Sequence, residues 1–343
     1  MADNRPMMAT RPNLEPTTRT AGNALDRRLL ERLVAGPATG DELAQAHGLG
    51  RAAVWKRIEA LRQAGIAIEA RPGRGYRLGQ PLELLCADTI VDGMSPDARA
   101  AVSGIAVEWQ VDSTNSMLLA EPPPARGARV LLAERQTGGR GRRGRSWQSP
   151  LAANLYLSLD RCFDGGLARL PGLSLVAGIA VAEALREATG LDVGLKWPND
   201  LWLDGAKLGG LLVEGGGEHG GPVRAVIGIG LNVRMPPGHG AAIGQAWTDL
   251  SAHAAPRSRN RLASQLLSRL LPALDLFDGA GFGPFQSRWE ALDALAGRPV
   301  RILEAQGEGT GTALGIAADG GLRIATPSGE RILYAGEVSV RAP

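Results

Sequence analysis

Residues 135–147, RQTGGRGRRGRSW, carry five arginines and four glycines between two β-prone stretches, RVLLAERQ before and NLYLSL after. A run held between two strands is one short excursion from a sheet, whereas a disordered arginine-glycine tether for nucleic acid would be long and repetitive. Glycines let a backbone approach a ligand closely, and guanidinium groups supply forked donors that suit carboxylate and phosphate. The segment therefore asks for a sheet-based domain that holds a small anion. At 343 residues, 44% of them hydrophobic, the chain is long enough for two or three cores.

The formal net charge is only +3, so no global field dictates a nucleic-acid partner. The charge is uneven, however. Within residues 51–77, Arg51, Lys56, Arg57, Arg62, Arg71, Arg74 and Arg77 are opposed only by Glu59 and Glu69. Cys86 and Cys162 are far apart and match no metal spacing, which fits a reduced cytoplasmic interior better than a disulfide framework. Residues 1–22 are polar, lack the apolar core of a signal peptide and read as a disordered tail. No apolar run reaches membrane-spanning length, so no membrane partner is expected.

Residues 23–80 read as a winged helix-turn-helix. Leu25, Leu29, Leu33 and Val34 recur at helical spacing up to Gly36-Pro37, and Thr39 can cap a second helix with acidic residues in its first turn. The turn HGLG leads into RAAVWKRIEALRQAG, with Ala53, Val54, Ile58 and Leu61 expected on the inner face and Trp55 as a packing residue. Two β-prone arms around Pro72-Gly73-Arg74-Gly75 then make a hairpin with a basic tip. Such a module can pack on another protein, but its local charge favours DNA: Arg51, Lys56 and Arg57 would enter a groove, and Arg74 would meet phosphate.

From residue 81 the chain changes to apolar strands and helices joined by glycine-rich segments. Ile105–Val111 reads as a strand entering a helix capped by Asp112 or Ser113, and Leu173–Leu185 as a buried helix. In GLKWPNDLWLDGAKLGGLLVEGG, Pro198 and Asn199-Asp200 make a turn and Asp204-Gly205 a hairpin tip, which returns Lys207 beside Lys196 and Asp200. The strand RAVIGIGLNV ends at Asn232, with Gly228 and Gly230 leaving room for a ligand. Residues 295–343 alternate apolar and polar positions between glycine turns, as in a small β-barrel.

DSTN, RQTGGRGRRGRSW, KWPNDLWLDGAKLGGLLVE and GIGLNV, in that order, resemble the catalytic domain of biotin-protein ligases. With the helix-turn-helix ahead of them, the chain resembles the bifunctional form, both ligase and biotin operon repressor. The resemblance implies a multidomain α+β protein: a winged helix at 23–80, an α/β catalytic domain like that of class II aminoacyl-tRNA synthetases at 81–294, and an SH3-like barrel at 295–343. It implies that biotin and ATP give biotinyl-5'-adenylate, and that biotin then passes to a lysine of the biotin carboxyl carrier protein of acetyl-CoA carboxylase.

By the same resemblance Ser113, Thr114, Asn115 and Gln136 hydrogen-bond the biotin rings, while Arg140, Gly141, Arg142 and Lys207 hold its carboxylate and the adenylate phosphate. Arg142, Arg143, Arg145, Asn232 and Arg341 belong to the nucleotide side, with Trp247 packing on adenine. Lys207 and Arg142 are the catalytic cations. Asp200 either orients or deprotonates the acceptor lysine, or is a turn residue paired with a neighbouring lysine. Mg²⁺ would arrive with the nucleotide rather than in a protein cage. Further expected partners are operator DNA and, with adenylate bound, a second copy of the chain, the arginine loop being mobile until an anion neutralises it. The competing reading is a biotin-sensing regulator without turnover, against which the full arginine loop and Lys207 argue.

Overall fold

The structure is a computed structural model and describes residues 18–164, 170, 172–217, 222–255, 257–304, 307–334 and 339–341. Two units meet between Glu83 and Leu84. The first holds α1 (Thr18–Ala35), α2 (Gly40–His47), α3 (Arg51–Gln63) and a hairpin of β1 (Ile68–Arg71) and β2 (Gly75–Leu78). Thr39 closes a capping box on α2: its hydroxyl accepts from Glu42 N at 3.1 Å and the Glu42 carboxylate accepts from Thr39 N at 2.7 Å. Gly48, left-handed at φ 64°, ends α2 and opens the turn into α3. The hairpin is tied to the segment before α2 by Ala38 and Tyr76, which exchange backbone hydrogen bonds of 3.0 and 2.8 Å. A Cβ at Gly75 would fall 2.3 Å from Ala38 O, so only glycine allows that approach.

Three details differ from the sequence reading. Backbone helix begins at Thr18, so residues 18–22 are not tail, and residues 1–17 lie outside the described part. Ala53 is exposed rather than inward, and Trp55 is 58% exposed rather than packed. Val54, Ile58 and Leu61 form the buried stripe of α3, and at 100° per residue positions 53 and 55 fall on either side of it.

The second unit is built on a seven-stranded mixed sheet. Its strands are β3 (Val102–Glu108), β4 (Ala128–Ala133), β5 (Leu155–Phe163), β6 (Gly194–Lys196), β7 (Asp200–Leu203), β8 (Ala206–Gly217) and β9 (Val223–Leu231), in the order β3-β4-β5-β9-β8-β7-β6. Only β3 and β4 are parallel. Val130, Leu132, Leu155, Leu157, Ile227 and Ile229 join one core with the long helices Leu173–Thr189 and Arg259–Ala280. Leu131 and Val226, of opposite parity, pack with Leu118 of the short helix Thr114–Leu119. Strand alternation thus sends the long helices to one face and the short helix to the other. The strand expected at 105–111 runs earlier, Val102–Glu108, and Ser113 rather than Asp112 is the helix cap.

The C-terminal segment is a five-stranded antiparallel sheet in which β10 (Pro299–Glu304), β11 (Gly307–Ile316), β12 (Leu322–Thr326), β13 (Gly329–Leu333) and β14 (Ser339–Arg341) run in the order β13-β12-β11-β10-β14. Its two edges are not paired with each other among the described residues. Ile302, Ala313, Ile324 and Leu333 join the core of the larger sheet, and Trp197 Nε1 donates to Gly320 O at 3.1 Å.

Behind the sheet lies a buried ion pair. Glu134 Oε2 accepts from Arg259 Nη1 at 2.8 Å, Glu134 Oε1 accepts from Leu85 N at 2.6 Å, and Arg259 also donates to Asn154 O at 3.2 Å. No helix among the described residues is long and apolar enough to cross a membrane.

Candidate active site

Glycines pave the sheet face on the side of the short helix. Gly210 pairs with Gly230 and Leu212 with Gly228 across β8 and β9. A Cβ at Gly228 would lie 2.5 Å from Asn115 Oδ1, and one at Gly230 would lie 2.5 Å from the Trp147 indole. Above this floor the helix Thr114–Leu119 presents its start. Ser113, its cap, accepts from Ser116 N at 3.4 Å, and Gln136 Oε1 accepts from Thr114 N at 2.9 Å. Ser158 Oγ lies 2.7 Å from Thr114 Oγ1 and 2.6 Å from Asn115 Oδ1. Asn115 Nδ2 donates to Leu212 O at 3.2 Å and to Glu214 at 2.8 Å. Each polar group is held by another before any ligand arrives, which is the condition for preorganised recognition.

The arginine loop closes on itself as a small hairpin. Gly141 N donates to Arg145 O at 2.7 Å and Trp147 N to Gly139 O at 2.8 Å, while Thr137 N and Gly138 N reach Val111 O and Asp112 O at 2.9 and 2.8 Å. Arg143 sits at φ 58°, a left-handed conformation that costs roughly 1 kcal/mol. Arg140 is paired with Glu214 at 3.2 Å; Arg142 donates to Asn199 Oδ1 at 3.4 Å. Burial first, then the neighbouring Arg143, lower the proton affinity of Arg142 below the usual arginine value.

Across the floor, Lys207 Nζ donates to Asp200 Oδ1 at 2.6 Å and stands 5.6 Å from the Trp147 ring centroid. Its backbone pairs with the Trp247 segment, Lys207 N to Ala246 O at 3.1 Å and Thr248 N to Lys207 O at 3.0 Å, and Asn232 Nδ2 donates to Thr248 O at 3.0 Å. Gly240 lies flat on the Trp247 indole, with no room for a Cβ.

These pieces enclose a cavity of about 490 Å³. Ser113, Thr114, Asn115, Gln136, Arg140, Gly141, Arg142, Arg143, Arg145, Asp200, Lys207, Asn232 and Trp247 all line it. Six basic side chains, these four arginines with Lys196 and Lys207, meet one carboxylate there, Asp200. Arg341 has its backbone opposite Arg301 on β14, and its side chain lies outside the described part. Among the described residues no group of three His, Cys, Asp or Glu could hold a metal ion.

Residues 107–232 match the biotin/lipoate A/B protein ligase family, residues 27–77 an HTH domain and residues 296–341 the biotin protein ligase C-terminal domain. The chain is 39% identical over 304 residues to the bifunctional ligase/repressor BirA of Salmonella typhimurium, spanning 89% of this chain and 93% of that one. The Escherichia coli bifunctional ligase/repressor BirA is 38% identical over 321 residues, 93% of this chain and 98% of its own length. The chain belongs to the biotin protein ligase family. Among solved structures, the biotin protein ligase of Aquifex aeolicus in complex with biotin and ATP superposes with a TM-score of 0.61 at 31% identity, covering 70% of this chain and 99% of that one.

Several residues in and around this ligase's cavity received no role from the sequence. Trp147 closed the arginine motif without an assigned part; its ring covers Gly230, and its Nε1 is buried with no acceptor among the described residues. Lys196 stacks on Trp202 at 4.3 Å while lining the cavity. Glu214 stands 74 positions from the arginine it pairs with, and no local pattern could announce that pairing.

In the first unit, Arg51 is paired with Asp41 and Arg57 turns to Asp26 at 3.4 Å, whereas Lys56 and Arg74 are exposed. The four residues expected to meet DNA are thus not equivalent.

Proposed function

We propose that the chain activates biotin with ATP, passes it to a lysine of the biotin carboxyl carrier protein of acetyl-CoA carboxylase, and represses transcription with the adenylate as corepressor. One observation carries the ligase reading: thirteen residues from five separate stretches of sequence, chosen for that chemistry, line one cavity with a large excess of positive charge.

In the first step a carboxylate oxygen of biotin attacks the α-phosphorus of ATP, and the bond to pyrophosphate breaks. Two anions must meet, so the five cations Arg140, Arg142, Arg143, Arg145 and Lys207 lower the repulsion and stabilise the charge of the pentacovalent transition state. Ser113, Thr114, Asn115 and Gln136 grip the biotin rings, Asn232 and Trp247 hold the nucleotide, and Arg341 approaches it from the C-terminal sheet, which acts as an SH3-like cap. In the second step the acceptor amine, having lost its proton, attacks the acyl carbon and AMP leaves. Asp200 keeps Lys207 in place through their 2.6 Å ion pair and orients the incoming amine as the larger anion takes over Lys207. Mg²⁺ brought with the nucleotide would supply further charge neutralisation, since among the described residues no cluster of His, Cys, Asp or Glu would hold it.

The domains divide the work as 23–80 for DNA, 81–294 for catalysis and 295–343 for the cap, in a cytoplasmic protein. Arg143, Gly144, Arg145 and Ser146 are exposed, so a phosphate that neutralises them also changes a surface, and this supports adenylate-dependent homodimerisation. The test is incubation with biotin, ATP and a carrier domain. Pyrophosphate release with a biotinyl mass gain on the carrier is expected; binding of biotin without pyrophosphate would favour the sensing regulator.

A further inference from the structure

The basic run at residues 51–77 is mostly neutralised inside its own unit. Arg51 pairs with Asp41, Arg57 with Asp26, Arg62 with Glu59 at 2.5 Å, and Arg77 and Arg71 share Glu69 at 2.6 and 3.7 Å. Lys56 and Arg74 alone of the seven have no ion pair among the described residues, and both are exposed. The first turns of α3 instead display apolar surface: Ala52, Ala53 and Trp55 face solvent, and Trp55 is the most exposed large apolar side chain of the described part. Ala52 and Trp55 are three apart and so share one face of the helix. An indole left in water forgoes a burial gain that the rest of the unit's apolar side chains take, so its position points to a partner.

We propose that Trp55, with Ala52 beside it, reads thymine methyl groups in the major groove, while Lys56 and Arg74 clamp phosphate on either side. This rests on the DNA-binding reading of the first unit. The start of the second helix in a helix-turn-helix meets base edges. The thymine C5-methyl is the apolar feature those edges offer, and alanine and aromatic side chains are its partners. With only these two of the run's seven basic residues unpaired among the described residues, its phosphate contacts are few. The salt dependence is therefore shallow, about −2 in log K per log salt for each bound subunit, against about −6 if all seven basic residues met phosphate.

Selection of duplexes from a randomised pool, using the full chain with biotin and ATP, supplies the probe. Affinity is then measured by anisotropy for the selected duplex and for the same duplex with deoxyuridine at its thymines. For the unaltered chain, removal of the contacted methyl groups weakens binding about tenfold. Trp55→Ala binds both duplexes equally and more weakly, Trp55→Phe keeps the preference, and pyrophosphate release is unchanged in both variants. Indifference of the unaltered chain to the methyl groups, discrimination that survives in Trp55→Ala, or a slope near −6 per subunit overturns the proposal while leaving DNA binding in place. A change in self-association with no change in DNA affinity would make this face a protein contact and overturn it as well. If no duplex is enriched, the DNA reading falls and the proposal with it.

Discussion

Replacing Arg259 by methionine isolates the energetic value of the buried pair behind the sheet. Glu134 and Arg259 side chains are 3% and 5% exposed, so screening by water is slight. Methionine fills similar space without charge and leaves the Glu134 carboxylate with Leu85 N–H as its remaining donor among the described residues. An uncompensated buried charge costs about 3–5 kcal/mol. For a unit of this size, 1 kcal/mol moves the midpoint by roughly 2–4 °C, so a fall of about 6–20 °C is expected. Glu134→Gln added to Arg259→Met keeps an acceptor for Leu85 and removes the stranded charge, and should recover at least half of the loss. Scanning calorimetry and urea unfolding at pH 7.5 measure both variants. A midpoint for Arg259→Met within about 2 °C of the unaltered protein, or no recovery in the double variant, would refute the reasoning.

Lys207→Ala and Arg142→Ala should each slow pyrophosphate release by ~10²-fold or more while the protein stays folded by circular dichroism, since each withdraws a cation from the developing charge. Gly228→Ala places a methyl 2.5 Å from Asn115 Oδ1, so biotin affinity, read by calorimetry, should fall by about 10- to 100-fold. Burial pushes the Asp293 carboxyl up to about 6, so its destabilising charge is absent below pH ~3.8 and complete above pH ~6. Asp293→Asn should accordingly stabilise at pH 8, by about 1–2 kcal/mol after discounting for partial exposure, and hardly at all at pH 4. Sedimentation of the protein with and without biotinyl-adenylate should show a dimer only in its presence; equal monomer in both would remove the coupling between ligand and assembly.

What the sequence made legible was local. Thr39 before an acidic turn, Ser113 before a short helix, and a glycine pair beside Asn232 all act within a few residues of themselves, and the structure has each of those features in place. What it hid depends on neighbours distant in sequence. Arg57 looks like any outward basic residue of an amphipathic helix until α1 brings Asp26 to it, 31 positions away. Trp55 was assigned to packing because indoles usually are, yet the buried stripe of α3 is narrow and already filled by Val54, Ile58 and Leu61. Asp200 left two roles open in sequence, and the β7–β8 hairpin makes it the ion-pair partner of Lys207.

The place of β9 in the sheet has a consequence for how the protein is made. It is the last of the seven strands to leave the ribosome, yet it lies at the centre, between β5 and β8. Until it emerges, β3-β4-β5 and β6-β7-β8 are separate half-sheets, each with a bare edge. About 60 residues separate the end of β5 from the start of β9. At 5–20 residues per second this leaves the first edge open for about 3–12 s of synthesis. Open edges of that kind recruit other strands, so the nascent chain is a natural client for chaperones during this interval. The glycine floor exists only once β9 has paired with β8, although the arginine loop was synthesised long before. A message truncated ahead of β9 would therefore yield an aggregating fragment rather than a weakened enzyme.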